Sequence, residues 1–146
     1  HGTPGSSIVN RDDLHKLAVL RAEEAESLLR HGFYIGAYYL VGYVVECALK
    51  ACVAKQIKQY DFPDRELVNK SYVHDLQKLL SVSGLKADLE RDLDRDPALE
   101  SNWAVVKDWT VQSRYLTSLA KPKAEDLYEA VMDKANGVLA WLQRRW

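Results

Sequence analysis

Apolar residues recur along this chain at the three- and four-residue spacing of α-helices, and the alternation typical of strands is nearly absent. The first apolar stripe begins after Asn10, which suits an N-cap, and ends at His31-Gly32, where glycine suits the position after a helix. The second stripe runs from about Phe33 to Ile57, and its apolar face is broader than a surface helix needs. We therefore expect the second helix to be the central element of a helical bundle.

The remaining helical segments are shorter and are separated by brief connections. A capped start at Ser71 predicts a short third helix, followed by one or two charged helical turns. A fourth helix begins at Pro97 and continues toward Arg114. A last helix follows Lys121, with Gly137 as a weak point that does not end it. Antiparallel helices with short connections predict an all-α fold, a four- to five-helix up-and-down bundle.

Length and composition limit the class of protein. A chain of 146 residues is enough for one domain with its own core, and 47% hydrophobic with 28% charged residues is ordinary for a soluble protein. The net charge of −1 excludes a basic field over the whole molecule, although a local basic patch would not show in this number. The uncharged run 32–45 is shorter than the roughly 20 residues of a membrane span, so we expect no membrane association.

The two cysteines, Cys47 and Cys52, lie five residues apart and therefore on different faces of the second helix. They cannot form a disulfide with each other in that geometry. Free cysteines inside a helix are usually packing residues of a protein in a reducing compartment. We therefore expect a cytoplasmic protein in which neither thiol has a chemical role.

The sequence predicts neither a metal site nor another cofactor. The histidines are scattered, and no Glu-x-x-His pair of a di-iron bundle occurs. The acidic run from Asp92 to Asp96 differs from a calcium loop, because Pro97 and Trp103 stand where such a loop needs glycine and glutamate. No glycine-rich phosphate loop is present, and no order of serine or cysteine with histidine indicates a nucleophile.

One carboxylate, that of Glu46, interrupts the apolar second helix. Burial of an unpaired carboxylate is strongly unfavourable, so Glu46 needs a cationic partner. Arg114, in Ser113-Arg114-Tyr115, is the conspicuous candidate, and such a pair would join the second helix to the end of the fourth. Lys50, one turn further along the same helix, is the alternative partner.

One stripe of the second helix combines aromatic and charged side chains at spacings of four, three and four residues: Tyr39, Tyr43, Glu46 and Lys50. If Arg114 lines a cleft beside this stripe, its planar guanidinium suits a phosphate or an RNA backbone. The two tyrosines of the stripe, together with Tyr115, would then supply hydroxyl groups or stacking faces. The alternative is that the tyrosines belong to the core or to a dimer interface, with Glu46 and Arg114 as a structural ion pair.

Three motifs stand in this order along the chain: Glu46-Cys-Ala-Leu-Lys50-Ala51, Tyr72-Val-His74-Asp75-Leu76 and Ser113-Arg114-Tyr115. Together with the helix order they resemble the HEPN family over nearly the whole chain from Asn10. That family consists of small all-helical domains found in bacterial toxin–antitoxin pairs, nucleotidyltransferase partners and RNA-cleaving effectors. The resemblance implies a single HEPN-like bundle over residues 8–146 that forms homodimers, whereas residues 1–7 look like a vector-derived tail.

Nucleolytic members of the family carry an Arg-x4–6-His motif in a cleft at the dimer interface. Arg114 matches the arginine, but Leu119, Ala120 and Lys121 stand where the histidine should follow. Without that imidazole, no obvious acid–base group would activate a ribose 2′-hydroxyl. The resemblance therefore implies a member without catalysis of its own, similar to those that are paired with a minimal nucleotidyltransferase or proposed to bind nucleotides.

The leading interpretation is a cytoplasmic, homodimeric binding module for a nucleotide, an RNA or a separate nucleotidyltransferase chain, as in toxin–antitoxin pairs. Its expected binding residues are Arg114, Tyr115, Glu46, Tyr39, Tyr43, Lys50 and His74. One alternative is a metal-independent ribonuclease toxin that uses Arg114 with a displaced base such as His74. Another is a structural helical adaptor whose tyrosines and tryptophans make protein contacts.

Overall fold

The computed structural model of the protein describes residues 10–60 and 74–146. No strand occurs within these ranges, and the predicted all-α fold class is confirmed. The α-helices in chain order are α1 (Arg11–Arg30), α2 (Tyr34–Tyr60), α3 (Leu76–Val82), α4 (Lys86–Arg95), α5 (Pro97–Val106), α6 (Lys121–Met132) and α7 (Val138–Gln143). A 3₁₀ helix at Val111–Tyr115 lies between α5 and α6. The predicted helix start at Ser71 and the predicted tail at residues 1–7 lie outside the described residues.

The ends of α1 follow from its sequence. The Asn10 side chain accepts a hydrogen bond from the Asp13 backbone N–H at 2.8 Å, and the Asp13 carboxylate accepts one from the Asn10 backbone N–H at 3.4 Å. This reciprocal capping satisfies two backbone donors that a helix start leaves free. At the other end Gly32 adopts a φ of +86°, a conformation that favours glycine, and the chain reverses into α2.

α2 is the central helix, as its broad apolar face predicts. α1 packs along it, and α3, α6, α7 and the 3₁₀ helix also contact it. The segment Tyr34–Ile57 is long and apolar enough to cross a membrane by length and composition, but 72% of its most apolar window is buried inside the protein. Contact with the surrounding helices therefore accounts for the apolar character of this segment.

Gly42 brings the Trp109 indole into direct contact with the α2 backbone. A Cβ atom built at Gly42 would lie 2.0 to 2.2 Å from three atoms of that ring. Trp109 is 2% exposed, and its ring also lies 6.1 Å from the Tyr39 ring, centroid to centroid. A glycine in a helix interior costs up to about 1 kcal/mol relative to alanine, and here it allows burial of a large aromatic side chain.

The fourth predicted helix is shorter than expected. α5 ends at Val106, where the Lys107 backbone N–H donates to the Trp103 carbonyl at 2.8 Å. The chain then turns through Trp109, whose backbone N–H donates to the Val106 carbonyl at 3.0 Å. Because the turn places the Trp109 indole against α2, Arg114 lies on the separate 3₁₀ helix instead of a continuation of α5.

The prediction of one continuous last helix was wrong. α6 ends at Met132 and α7 begins at Val138, with a turn in which the Gly137 backbone N–H donates to the Asp133 carbonyl at 2.9 Å. A Cβ at Gly137 would lie 2.3 Å from that carbonyl oxygen, so the turn requires glycine. The Asp133 carboxylate also accepts a hydrogen bond from the Asn136 backbone N–H at 2.8 Å, which stabilises the break.

Substitution of Gly42 by alanine should destabilise the protein by about 1–3 kcal/mol, because the new methyl group and the rigid indole cannot occupy the same space. Gly36→Ala is the matched control within the same helix. Its Cβ would meet Leu28 Cδ1 at 3.2 Å, the end of a flexible side chain, so the expected change lies between zero and a gain of about 1 kcal/mol. Urea denaturation measures both free energies of unfolding, and equal effects would contradict the packing described for Trp109.

Candidate functional site

The Glu46 carboxylate is the centre of a polar cluster inside the apolar bundle. Glu46 is fully buried, and its Oε2 atom accepts hydrogen bonds from Lys50 Nζ at 2.9 Å and from His74 Nδ1 at 2.7 Å. Within residues 10–60 and 74–146, its Oε1 atom has no hydrogen-bond partner. The predicted pairing of Glu46 with Arg114 is therefore wrong, and the alternative partner Lys50 is present together with a histidine from another part of the chain.

The start of α3 places His74 against α2. Asp75 is the N-cap of α3, and its carboxylate accepts hydrogen bonds from the Gln77 and Lys78 backbone N–H groups at 2.9 and 3.1 Å. The next residue, Leu76, is buried in the core. Because Asp75 caps α3 and Leu76 is buried, the position of the residue before them, His74, is fixed.

The contact with Glu46 also sets which ring nitrogen of His74 carries the proton. An imidazole that donates through Nδ1 to a carboxylate has Nε2 as its acceptor when the ring is neutral. The His74 side chain is 51% exposed, whereas the Lys50 side chain is 21% exposed. The cluster thus presents an oriented imidazole at the surface and keeps the carboxylate inside.

The tyrosines of the α2 stripe form a half-buried aromatic row. The Tyr39 and Tyr43 rings stack with a centroid separation of 6.4 Å, and Trp109 lies against Tyr39. Burial raises the pKa of Tyr43 to about 12, so its hydroxyl stays protonated at neutral pH. These rings contact the core while they retain partial exposure, which is compatible with packing and with an edge of a binding surface.

Arg114 and Tyr115 form a second, separate feature on the 3₁₀ helix. The guanidinium carbon of Arg114 lies 4.9 Å from the centroid of the Tyr115 ring. Both residues are exposed, Tyr115 to 67%, and the following Leu116 is exposed as well. A planar cation and an aromatic face stand together at the surface, in a segment that packs against α2.

The structure thus groups the expected site residues into three sets: Glu46 with Lys50 and His74, Tyr39 with Tyr43, and Arg114 with Tyr115. One groove that contains all seven residues stays a prediction. Sequence reasoning did not find a cavity at the far part of α2, which is lined by Lys55, Arg144 and Arg145 among others. No motif connects these basic residues, and only the fold brings them together.

The cysteines and the acidic residues show no reactive arrangement in the part of the chain that the structure describes. Burial raises the pKa of the Cys47 and Cys52 thiols to about 11, so neither is a thiolate at neutral pH. Residues 10–60 and 74–146 contain no group of three or more histidine, cysteine, aspartate or glutamate side chains that could hold a metal ion. Asp92 and Asp96 instead bind Trp141 and Asn136, which are parts of the fold.

A double-mutant cycle measures whether Glu46 is bound to His74 or to Arg114. Glu46→Gln and His74→Gln should be coupled by about 0.5–3 kcal/mol in the free energy of unfolding, because the two groups share a hydrogen bond. Glu46→Gln and Arg114→Gln should be additive within about 0.5 kcal/mol, because Arg114 lies over the exposed Tyr115 ring whereas Glu46 binds His74 and Lys50. Coupling to Arg114 without coupling to His74 would contradict the cluster. Chemical denaturation of the single and double variants supplies the free energies.

Comparison with known proteins identifies the family of the chain. A family model described as HEPN domain matches residues 13–146, which is most of the chain. No curated protein and no solved structure matches it. The matched region includes the Glu46 cluster, the aromatic row and the Arg114–Tyr115 pair. The chain belongs to the HEPN domain family.

Proposed function

We propose that this protein is a HEPN-type binding module that holds a nucleotide or RNA at the surface of its 3₁₀ helix, without catalysis of its own. Membership of the HEPN family supports a nucleotide- or RNA-related module in general. The observation that carries the specific proposal is the pair of exposed side chains, Arg114 over Tyr115. Neither is used to fill the core, so both are available to a ligand.

The chemistry of the pair suits a nucleic acid. The planar guanidinium of arginine can donate two parallel hydrogen bonds to a phosphate, and it is weakly hydrated compared with an ammonium group. A tyrosine ring offers a stacking face to any base, so binding of this kind tolerates many sequences. With a net charge of −1, the protein has no global attraction for RNA, and affinity has to come from local contacts such as these.

The absence of a histidine after Arg114 supports binding without cleavage. Ala120 is the N-cap of α6, Lys121 is its first residue, and both are exposed. Leu119 is half-buried, and none of the three positions presents an imidazole to a ribose 2′-hydroxyl. The pair would then bind a phosphate without activating an attack on it.

The proposal extends to assembly and partners. The exposed apolar side chain of Leu116 favours a protein contact beside the binding surface, either with a second copy of the chain or with a separate nucleotidyltransferase chain. A homodimer would place two Arg114–Tyr115 pairs on one particle. A cytoplasmic location agrees with two free, buried cysteines.

A second candidate function, metal-independent RNA cleavage, is favoured by one observation. His74 donates through Nδ1 to a buried carboxylate, the arrangement that orients an imidazole as a general base. Its Nε2 atom would take the proton of a 2′-hydroxyl, the oxygen would attack the adjacent phosphorus, and the bond from phosphorus to the 5′-oxygen would break. The leaving oxygen would take a proton from water, and a 2′,3′-cyclic phosphate would remain.

Binding should depend on Arg114 and Tyr115. We expect Arg114→Ala and Tyr115→Ala each to weaken binding of a labelled single-stranded RNA by about tenfold or more, because each removes a phosphate contact or a stacking face. Fluorescence anisotropy measures the affinity, and Arg30→Ala is the control, an exposed arginine at the end of α1. Unchanged affinity in both site variants, with stability also unchanged, would contradict the proposal.

Incubation of RNA with excess protein and EDTA separates the two candidate functions. Binding without catalysis predicts that the RNA stays intact while the complex forms. Production of 2′,3′-cyclic phosphate ends by the wild type, lost in His74→Ala, would instead establish the ribonuclease. Glu46→Gln would then lower the cleavage rate more than RNA affinity, because Glu46 orients the imidazole and is buried away from any ligand.

A further inference from the structure

A basic cavity lies at the far part of α2, and none of its lining residues belongs to the sites assigned above. Its volume is about 270 Å³, and it is lined by side chains from α2, from the turn between α3 and α4, and from the segment after α7. Three of the lining residues are cationic: Lys55, Arg144 and Arg145. None of the described residues that line it is acidic. We infer that this basic cavity is a binding site for the phosphate group of a small phosphomonoester.

The Arg145 guanidinium is held in place by three contacts. It donates to the Trp141 carbonyl at 2.9 Å and to the Asp92 carboxylate at 3.1 Å, and it lies 3.7 Å from the centroid of the Trp141 ring. The Trp141 indole N–H in turn donates to Asp92 at 2.8 Å. A guanidinium that is fixed by its neighbours loses little conformational entropy when it binds an anion.

The charge balance favours a dianion. Asp92 neutralises Arg145, so Arg144 and Lys55 leave about two positive charges beside the cavity. Lys55 is also fixed near Arg145, because its Nζ donates to the Arg145 carbonyl at 3.3 Å. A phosphate monoester carries about −1.5 to −2 charges near neutral pH, whereas a carboxylate carries one, so the phosphate matches the cavity better.

A buried polar atom in the cavity wall also lacks a partner. Gln56 Oε1 is buried and accepts no hydrogen bond from the residues that the structure describes, and it lies against Gly84, where a Cβ atom would be 3.0 Å from it. A rotation of the carboxamide that turns its NH₂ group toward the cavity would supply a further donor to a phosphate oxygen.

The size of the cavity agrees with this ligand class. Since a water molecule takes up roughly 30 Å³ in the liquid, the cavity has room for a phosphate group and part of a small carrier. It is too small to enclose a folded RNA segment. The inference is independent of the function proposed for Arg114 and Tyr115, because it uses none of their contacts.

Titration calorimetry with AMP and with inorganic phosphate, at matched ionic strength, tests the inference. We expect saturable binding to the wild type. Arg144→Gln and Lys55→Gln should each weaken it by about tenfold, because each removes a charged donor. Arg30→Gln, a matched loss of charge at the end of α1, should leave it unchanged. Tighter binding of AMP identifies a phosphomonoester, and tighter binding of inorganic phosphate would overturn that class.

Two further results would overturn the site itself. One is the absence of saturable binding of either probe to the wild type, and the other is an equal loss of affinity in Arg30→Gln and Arg144→Gln. Thermal unfolding of each variant shows whether it is folded, which is expected because Arg144 and Lys55 are both exposed. Loss of AMP affinity in Arg114→Ala, with Arg144→Gln and Lys55→Gln at wild-type affinity, would place the AMP site on the 3₁₀ helix and overturn the basic cavity.

Discussion

The buried carboxylate of Glu46 is the constraint on which the arrangement of this protein depends. An acid at the centre of the core helix is tolerable only with donors beside it, and the structure supplies two, Lys50 from the same helix and His74 from the start of α3. The second contact joins segments that are 28 residues apart in sequence. It therefore fixes the start of α3 against α2.

Because Glu46 binds Lys50 and His74 inside the bundle, it does not bind Arg114, and Arg114 lies exposed at the surface. Had the two residues paired, the 3₁₀ helix would be tied to the core through its arginine. Instead Trp109 makes that connection by packing on Gly42, and Arg114 lies over Tyr115 in solvent. A packed tryptophan anchors the segment, and the residues beyond it present a cation and a ring. Because Trp109 holds the segment on α2, Arg114 and Tyr115 are not needed for packing and can form a binding surface on the 3₁₀ helix.

The parts of the fold that depend on local pattern could be predicted from the sequence. The cap at Asn10, the turn at Gly32 and the central position of α2 follow from short-range rules and hydrophobic periodicity. The spacing along α2 indicated Lys50 as an alternative partner of Glu46, but the contact with His74 could not be predicted, because it joins two positions that are 28 residues apart in sequence. The break at Gly137 was missed because apolar spacing continues through it, while the backbone there closes a turn. The basic cavity lacks any sequence signal, since Lys55 and Arg145 are 90 residues apart.

Ultraviolet crosslinking of bound single-stranded RNA, followed by mass spectrometry of the crosslinked peptides, tests the central claim most directly. It reports which residues touch the ligand in the wild-type protein, without any substitution that could alter the fold. A binding surface on the 3₁₀ helix predicts crosslinks within the peptide that contains Arg114 and Tyr115, since aromatic rings stacked on bases are favourable positions for contact. Crosslinks confined to other peptides, with none on this segment, would contradict it.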